Sequence, residues 1–193
     1  MQDHNHGRLI ILSAPSGSGK STIINAMLKE KKLPLTFAVS ATNRPPRPGE
    51  KDGVHYHFLS TEEFQDAITR KLFVEYEEVY PGRYYGTLRS ELDSRLAKGE
   101  HVILDLDVCG GINVKKQYGA SATSIFIMPP STEALKERLT SRGTETPETL
   151  QARLQRAEYE ISLAPQFDHC VINDVLENAV DQTTEIVNNA LLS

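Results

Sequence analysis

The chain has no tryptophan and only two cysteines, Cys109 and Cys170, among its 193 residues. Two thiols build neither a disulfide framework nor a cysteine-based zinc site, so reduced thiols in a cytoplasmic protein are the expectation. No apolar run reaches the length that spans a bilayer, and the polar start MQDHNHGR lacks the apolar stretch of a signal peptide, so no membrane partner is expected. Positive charge is not in excess either. The 21 Lys and Arg stand against 26 Asp and Glu, a net charge of -5, which argues against a general nucleic-acid partner. A local basic cluster in an acidic protein still suffices to hold a phosphate. Two histidines, His4 and His6, sit in the N-terminal tail, where such pairs are more often solvated than metal-binding. No repeat or low-complexity stretch appears, and the length suits one domain with a real core and small insertions.

What is present begins with Leu9–Thr22, LIILSAPSGSGKST. An apolar run leads into a turn-rich segment and then into the amphipathic run IINAMLKEKK, which reads as a buried strand, a loop and a helix. In such a loop, Ala14, Pro15, Ser16, Gly17, Ser18 and Gly19 curl so that backbone N–H groups point inward, and the helix start at Lys20, Ser21 and Thr22 adds its positive dipole end. Lys20 then reaches the β- and γ-phosphates of a nucleoside triphosphate, and the Ser21 hydroxyl suits Mg²⁺. The strict pattern has glycine where Ala14 stands, and a serine- and glycine-rich turn that merely precedes a lysine would carry similar letters.

Downstream, TFAVSAT reads as a short extended segment. Ser40–Ser60 holds three prolines and two glycines, which exclude a regular helix and stiffen the backbone around Arg44 and Arg47. A stiffened loop lowers the entropic cost of aiming two guanidiniums at one anion, although a solvated basic turn has the same composition. His55, Tyr56 and His57 alternate as in a strand. Thr61–Lys71 opens on a capping signal and reads as a helix. LFVEYEEVYPGRYYGT reads as two strands about a Pro81-Gly82 turn, with Glu75 in an apolar, aromatic setting where a carboxylate needs donors. A helix over Leu88–Ala97 precedes the apolar strand HVILDLDVCGG, which ends on Asp105 and Asp107, at the strand end where α/β proteins place ligands. A helix from Gly111 to about Tyr118, the strand ATSIFIM, a helix opened by Pro-Pro-Ser, a second helix after Gly143–Pro147, the strand FDHCVIN and a closing helix over Leu176–Leu192 complete the chain. Arg138, Arg142 and Arg153 bound a glycine-flanked segment suited to a lid that brings positive charge to a transferring phosphoryl group. Arg156 reads as solvated. The alternation of strands and helices implies an α/β fold, a parallel sheet between helical layers.

The segments SAPSGSGKST, SATNRPPRPGEKDGVHYHF, FVEY…RYYGT, ILDLDVCG and IMPPS…LKERLTSRGTET, in this order and over nearly the whole chain, resemble the guanylate kinase family. The family often carries alanine at the position of Ala14. The resemblance implies a three-layer P-loop NTPase fold with a core of 1–36, 89–139 and 158–193, an inserted GMP-binding subdomain at 37–88 and a helical lid at 140–157. It implies that Ser40, Arg44, Arg47, Tyr56, Glu75, Tyr85, Thr87 and Asp107 hold GMP. Arg44, Arg47, Tyr56 and Tyr85 would take its phosphate, while Glu75 and Asp107, with Ser40 and Thr87, would face the base. ATP would lie on Ala14–Thr22, with Mg²⁺ at Ser21 and, through water, at Asp105. Lys20, Arg138, Arg142 and Arg153 would be the catalytic cations. The expected reaction is transfer of the ATP γ-phosphoryl group to GMP or dGMP, in monomer or oligomer. A non-catalytic relative that binds phosphorylated proteins would keep the arginine and tyrosine grip but degrade the ATP loop, and Gly17, Gly19, Lys20 and Ser21 are all present. A kinase for another monophosphate conflicts with Glu75 and Asp107. Departures from the family pattern are Asn43 for a common threonine, Val108-Cys109, and Pro81 with Arg83 in the hairpin.

Overall fold

The structure, a computed structural model, describes residues 6–29, 33–141 and 147–192. In chain order the first elements are β1 (Leu9–Ser13), α1 (Lys20–Lys29), β2 (Leu35–Phe37), β3 (Ala41–Thr42), β4 (His57–Phe58) and α2 (Thr61–Thr69). Then come β5 (Phe73–Tyr80), β6 (Arg83–Leu88), α3 (Arg89–Ala97), β7 (His101–Leu106), α4 (Val108–Tyr118) and β8 (Ala122–Met128). The last are α5 (Thr132–Thr140), α6 (Pro147–Ser162), β9 (His169–Ile172) and α7 (Leu176–Leu192). None of the described helices is long and apolar enough to cross a membrane.

Five strands form the central sheet in the order β2-β7-β1-β8-β9, with β1 parallel to β8 and β8 parallel to β9. All five residues of β1 are buried, which a strand needs when both of its faces are covered. One face packs Ile10, Leu12, Ile125 and Ile127 against Ile23, Ile24 and Met27 of α1 and Ala179, Val180 and Val187 of α7. Between Ile125 and Ile127, Phe126 points to the opposite face and joins Val108, Ile112, Ala164 and Phe167, its ring edge-on to Phe167 at 5.3 Å. The result is a three-layer α/β arrangement, and the loop between β1 and α1 lies at the C-terminal end of the middle strand.

The chain divides into two compact units, one built on Thr36–Val102 and the other on Arg8–Leu35 with Ile103–Ser193. The first contains α3 as well as the 37–88 segment. Its four-stranded sheet runs β4-β3-β6-β5. Antiparallel β5 and β6 meet at Tyr80↔Arg83 across a two-residue turn, with Gly82 at φ 73°. Phe64 of α2 stacks on Phe73 (4.4 Å) and Tyr84 (5.5 Å), so the sheet is closed by one aromatic cluster. Helix α2 starts with the capping box anticipated from its sequence: Ser60 accepts from Glu63 N, and Glu63 accepts from Ser60 N.

Three local expectations differ from the structure. The extended segment TFAVSAT is divided, with β2 in the central sheet and β3 in the smaller one. His55 is not in a strand with His57. The Asp52-Gly53 pair turns the chain, Gly53 sits at φ 70°, and His55 Nδ1 accepts from Lys51 N. Helix α4 starts at Val108 rather than Gly111, because Asp107 caps it by accepting from Gly110 N at 2.6 Å.

The β8–β9 edge is pinned by a polar clamp. Asp168 accepts from Ser124 N (2.8 Å), Ser124 Oγ (2.9 Å) and Lys115 Nζ (2.8 Å). Burial alone would raise the Asp168 carboxyl, but these donors bring it below its ordinary value. The folded state therefore gains from this group above the ordinary aspartate range and loses the gain as the pH falls below it. Asp168→Ala removes the acceptor of the Ser124 amide and hydroxyl and is expected to cost about 1–3 kcal/mol, measured by urea denaturation at neutral pH. The difference from wild type should shrink in acid.

Candidate active site

The loop after β1 is held by its own backbone and by residues distant in sequence. Ser18 N donates to Pro15 O (3.1 Å), and the first turn of α1 is fixed by Ile23 N to Gly19 O (3.1 Å). Asn173, just beyond β9, donates from Nδ2 to Ser18 O (2.7 Å) and from its backbone N to Met128 O (2.8 Å). Gly19 lies at φ 90°, and a Cβ there would stand 2.3 Å from Asn173 Nδ2. Glycine is required on both counts. Gly19→Ala is expected to raise the KM for the nucleoside triphosphate that the sequence leads one to expect on this loop about tenfold and to cost about 1–2 kcal/mol of stability. Parallel steady-state kinetics and thermal unfolding check this. Ser16, Ser21 and Thr22 are exposed at the loop mouth, while Ala14 and Pro15 are buried beneath it. Lys20, the first residue of α1, directs Nζ to Asp105 Oδ1 and Leu106 O, each at 2.5 Å. Asp105 and Ser21 thus sit on the elements that flank the loop, and both offer oxygen, the donor type Mg²⁺ takes.

On the same unit, Asp107 gives one carboxylate oxygen to the α4 cap and turns the other toward Arg156 Nη2 at 3.8 Å. Arg156 also donates to Glu160 (2.9 Å), and its side chain is 63% exposed, in keeping with the solvated reading of this arginine. Arg138 of α5 donates to Asn173 O at 2.9 Å, which ties it to the residue that braces the loop. Arg153 lies exposed on α6, and Arg142 falls outside the described residues.

The other unit carries the second set of residues expected from the sequence. Arg44 is only 7% exposed. Its guanidinium lies over the Tyr56 ring (4.9 Å to the centroid) and near the Phe58 ring (5.6 Å). It grips Glu50 with both terminal nitrogens at 2.6 Å. Tyr56 and Tyr85 meet edge-on at 5.9 Å. Arg47 is exposed two residues before the turn at Gly49. Glu75 and Thr87 face each other across β5 and β6, and the Thr87 hydroxyl donates to Glu75 Oε1 at 2.7 Å. Ser40 is part-buried, and its carbonyl accepts from His57 N. Arg44, Tyr56, Tyr85, Glu75, Thr87 and Ser40 are thus carried by one small sheet and its loops, whereas Asp107 belongs to the other unit.

A family model described as guanylate kinase matches residues 6–190. The chain belongs to the guanylate kinase family. Among curated relatives, guanylate kinase from Bacteroides thetaiotaomicron is 55% identical over 185 residues, 96% of this chain and 90% of that protein. Guanylate kinase from Salinibacter ruber is 48% identical over the full length of both chains. A crystal structure of guanylate kinase from Anaplasma phagocytophilum superposes with a TM-score of 0.70 at 31% identity, covering 98% of this chain and 88% of that one. Guanylate kinases are nucleoside monophosphate kinases, and the three-layer architecture is the P-loop NTPase fold.

Two residues of this guanylate kinase family member carry contacts that a reading by residue type passes over. Asn173 reaches the loop only through the fold, and nothing near it in sequence signals that role. Asn43, the departure from the family's common threonine, saturates its amide: Nδ2 donates to Gly82 O and Thr61 Oγ1, and Oδ1 accepts from Tyr84 N. It ties the Pro81-Gly82 turn to the start of α2.

Proposed function

We propose that the chain transfers the γ-phosphoryl group of ATP, held with Mg²⁺ on Ala14–Thr22, to the phosphate of GMP or dGMP, giving ADP and GDP or dGDP. The observation that supports the reading is the Arg44, Tyr56 and Tyr85 cluster, carried with the Thr87-braced carboxylate of Glu75 on one small sheet and its loops, in a chain whose other unit holds an intact phosphate loop. On the donor side, the loop amides cradle the β- and γ-phosphates, and Lys20 exchanges Asp105 for a phosphate oxygen. Ser21, with Asp105 through water, would hold Mg²⁺, which neutralises phosphate charge when bound.

On the acceptor side, Arg44, Arg47, Tyr56 and Tyr85 hold the GMP phosphate, the guanidiniums as bidentate donors. Glu75, oriented by the Thr87 hydroxyl, and Asp107 accept from guanine N1–H and N2–H₂, with Ser40 and Thr87 at the base edge. Adenine presents an acceptor at N1, which would face a carboxylate without a proton between them. Arg138, Arg142 and Arg153 supply the charge that offsets the oxygens of the phosphoryl group in flight. No covalent intermediate is needed, because in-line positioning and charge neutralisation supply the catalysis. Core 1–36, 89–139 and 158–193, acceptor segment 37–88 and lid 140–157 are the corresponding division of labour. A test is substrate competition at fixed MgATP: GMP and dGMP should be turned over and AMP should neither react nor inhibit. Turnover of AMP at the rate of GMP would overturn the assignment.

A further inference from the structure

The residue that Arg44 holds is not among those assigned above. Glu50 closes the turn Arg47-Pro48-Gly49-Glu50, in which Glu50 N donates to Arg47 O at 3.0 Å and Gly49 stands at φ 89°. Proline second and a left-handed glycine third define a type II turn, so the backbone itself brings Glu50 back over Arg47. Its carboxylate then takes three donors. Arg44 Nη1 binds Oε2 and Arg44 Nη2 binds Oε1, both at 2.6 Å, and Arg47 N binds Oε2 at 2.7 Å. The hydrogen bonds from Arg44, and then the Arg47 amide, hold the Glu50 carboxyl down to about 2, so it is charged at any working pH.

A guanidinium has five N–H bonds in two forks. Glu50 occupies the Nη1–Nη2 fork, and Pro45 O takes another Nη1 hydrogen at 3.0 Å. Nε and the second Nη2 hydrogen take part in none of these contacts, so the Nε–Nη2 edge is what Arg44 can turn to an anion, together with the Tyr85 phenol, a further hydrogen-bond partner of the guanidinium. The Tyr56 and Phe58 rings and the 7% exposure leave the guanidinium little room to turn. We infer that Glu50 is a positioning residue for the acceptor: it fixes Arg44 so that one bidentate edge faces the monophosphate of GMP. Resting on the reading that Arg44 binds that phosphate, the inference makes the cost of losing Glu50 appear in GMP binding and nowhere else. Opposite-charge attraction alone would give the reverse sign, since removing a carboxylate beside the site raises its attraction for a dianion.

The experiment measures GMP dissociation constants by calorimetry, together with KM for GMP and for ATP, on wild type, Glu50→Gln, Glu50→Asp, Arg44→Ala and the Arg44→Ala/Glu50→Gln double variant. Glu50→Gln is expected to weaken GMP about tenfold, with the KM for ATP and the melting temperature unchanged, because the amide keeps one acceptor but turns a donor toward the guanidinium. Glu50→Asp should fall between, its charge kept and its reach shortened. Arg44→Ala should weaken GMP at least twentyfold, and adding Glu50→Gln to it should change nothing further, since the two act through one contact. Glu50→Gln binding GMP as wild type does, or more tightly, would overturn the role of Glu50 while Arg44→Ala still weakens it. If Arg44→Ala itself binds GMP normally, the phosphate-grip reading fails first. Parallel loss of ATP and GMP affinity in Glu50→Gln, with a lowered melting temperature, would mark Glu50 as merely structural and also overturn the inference.

Discussion

Lys20→Ala should lower kcat about 10²–10³-fold while leaving the GMP dissociation constant within twofold of wild type. The lysine lies at the start of α1 on the unit that holds the phosphate loop, whereas the expected GMP phosphate grip lies on the other unit. In the proposed reaction its ammonium, a point charge, would follow negative charge as it moves between the β- and γ-phosphates, so its loss would fall on the transition state more than on either ground state. Folding should be little affected. Asp105, left without its partner, has a side chain 34% exposed and is hydrated in the variant. Pre-steady-state kinetics with GMP and MgATP separates the chemical step from binding. A variant that turns over at the wild-type rate would remove Lys20 from the mechanism.

The second large effect belongs to the base. Glu75→Gln is expected to reduce kcat/KM for GMP about 10²-fold, since the carboxylate proposed to share the guanine donors with Asp107 becomes an amide with one acceptor and an opposing NH₂. The KM for ATP should not move. The fold should tolerate the change, because the amide oxygen still accepts from the Thr87 hydroxyl that now donates to Oε1. The selectivity for GMP over AMP should narrow by a similar factor, read from the ratio of kcat/KM values for the two. An unchanged ratio would mean that Glu75 does not read the base.

Much of this was legible because the chemistry is concentrated in short, strongly patterned segments. The run LIILS has every residue buried and reads as a strand at once, and the glycines after it are forced by positive φ. Capping by Ser60 and Ser131 placed the starts of α2 and α5, and the Pro81-Gly82 pair placed the hairpin. What was not legible depends on partners far apart in sequence or on competing local preferences. Apolar alternation carried the strand reading of HVILDLD through Asp107, but its side chain caps α4, which moved the helix start three residues earlier. Ala38, Val39 and Ser40 separate two short strands that join different sheets, a division no periodicity records. Asn173 braces Ser18 from 155 residues away. Glu50 lay beside two arginines in the sequence, and the Pro-Gly turn before it was the available signal. The engagement of both its carboxylate oxygens is a property of the folded turn and not of the sequence pattern.

The measurement that tests the central claim most directly is a coupled ADP-release assay with MgATP and, in parallel, GMP, dGMP, AMP, UMP and TMP. Rapid ADP release with GMP and dGMP, and rates at least 10³-fold lower with the other three, is the predicted result. Equal rates with AMP would contradict base reading by Glu75 and Asp107, and no release with any acceptor would contradict phosphoryl transfer itself.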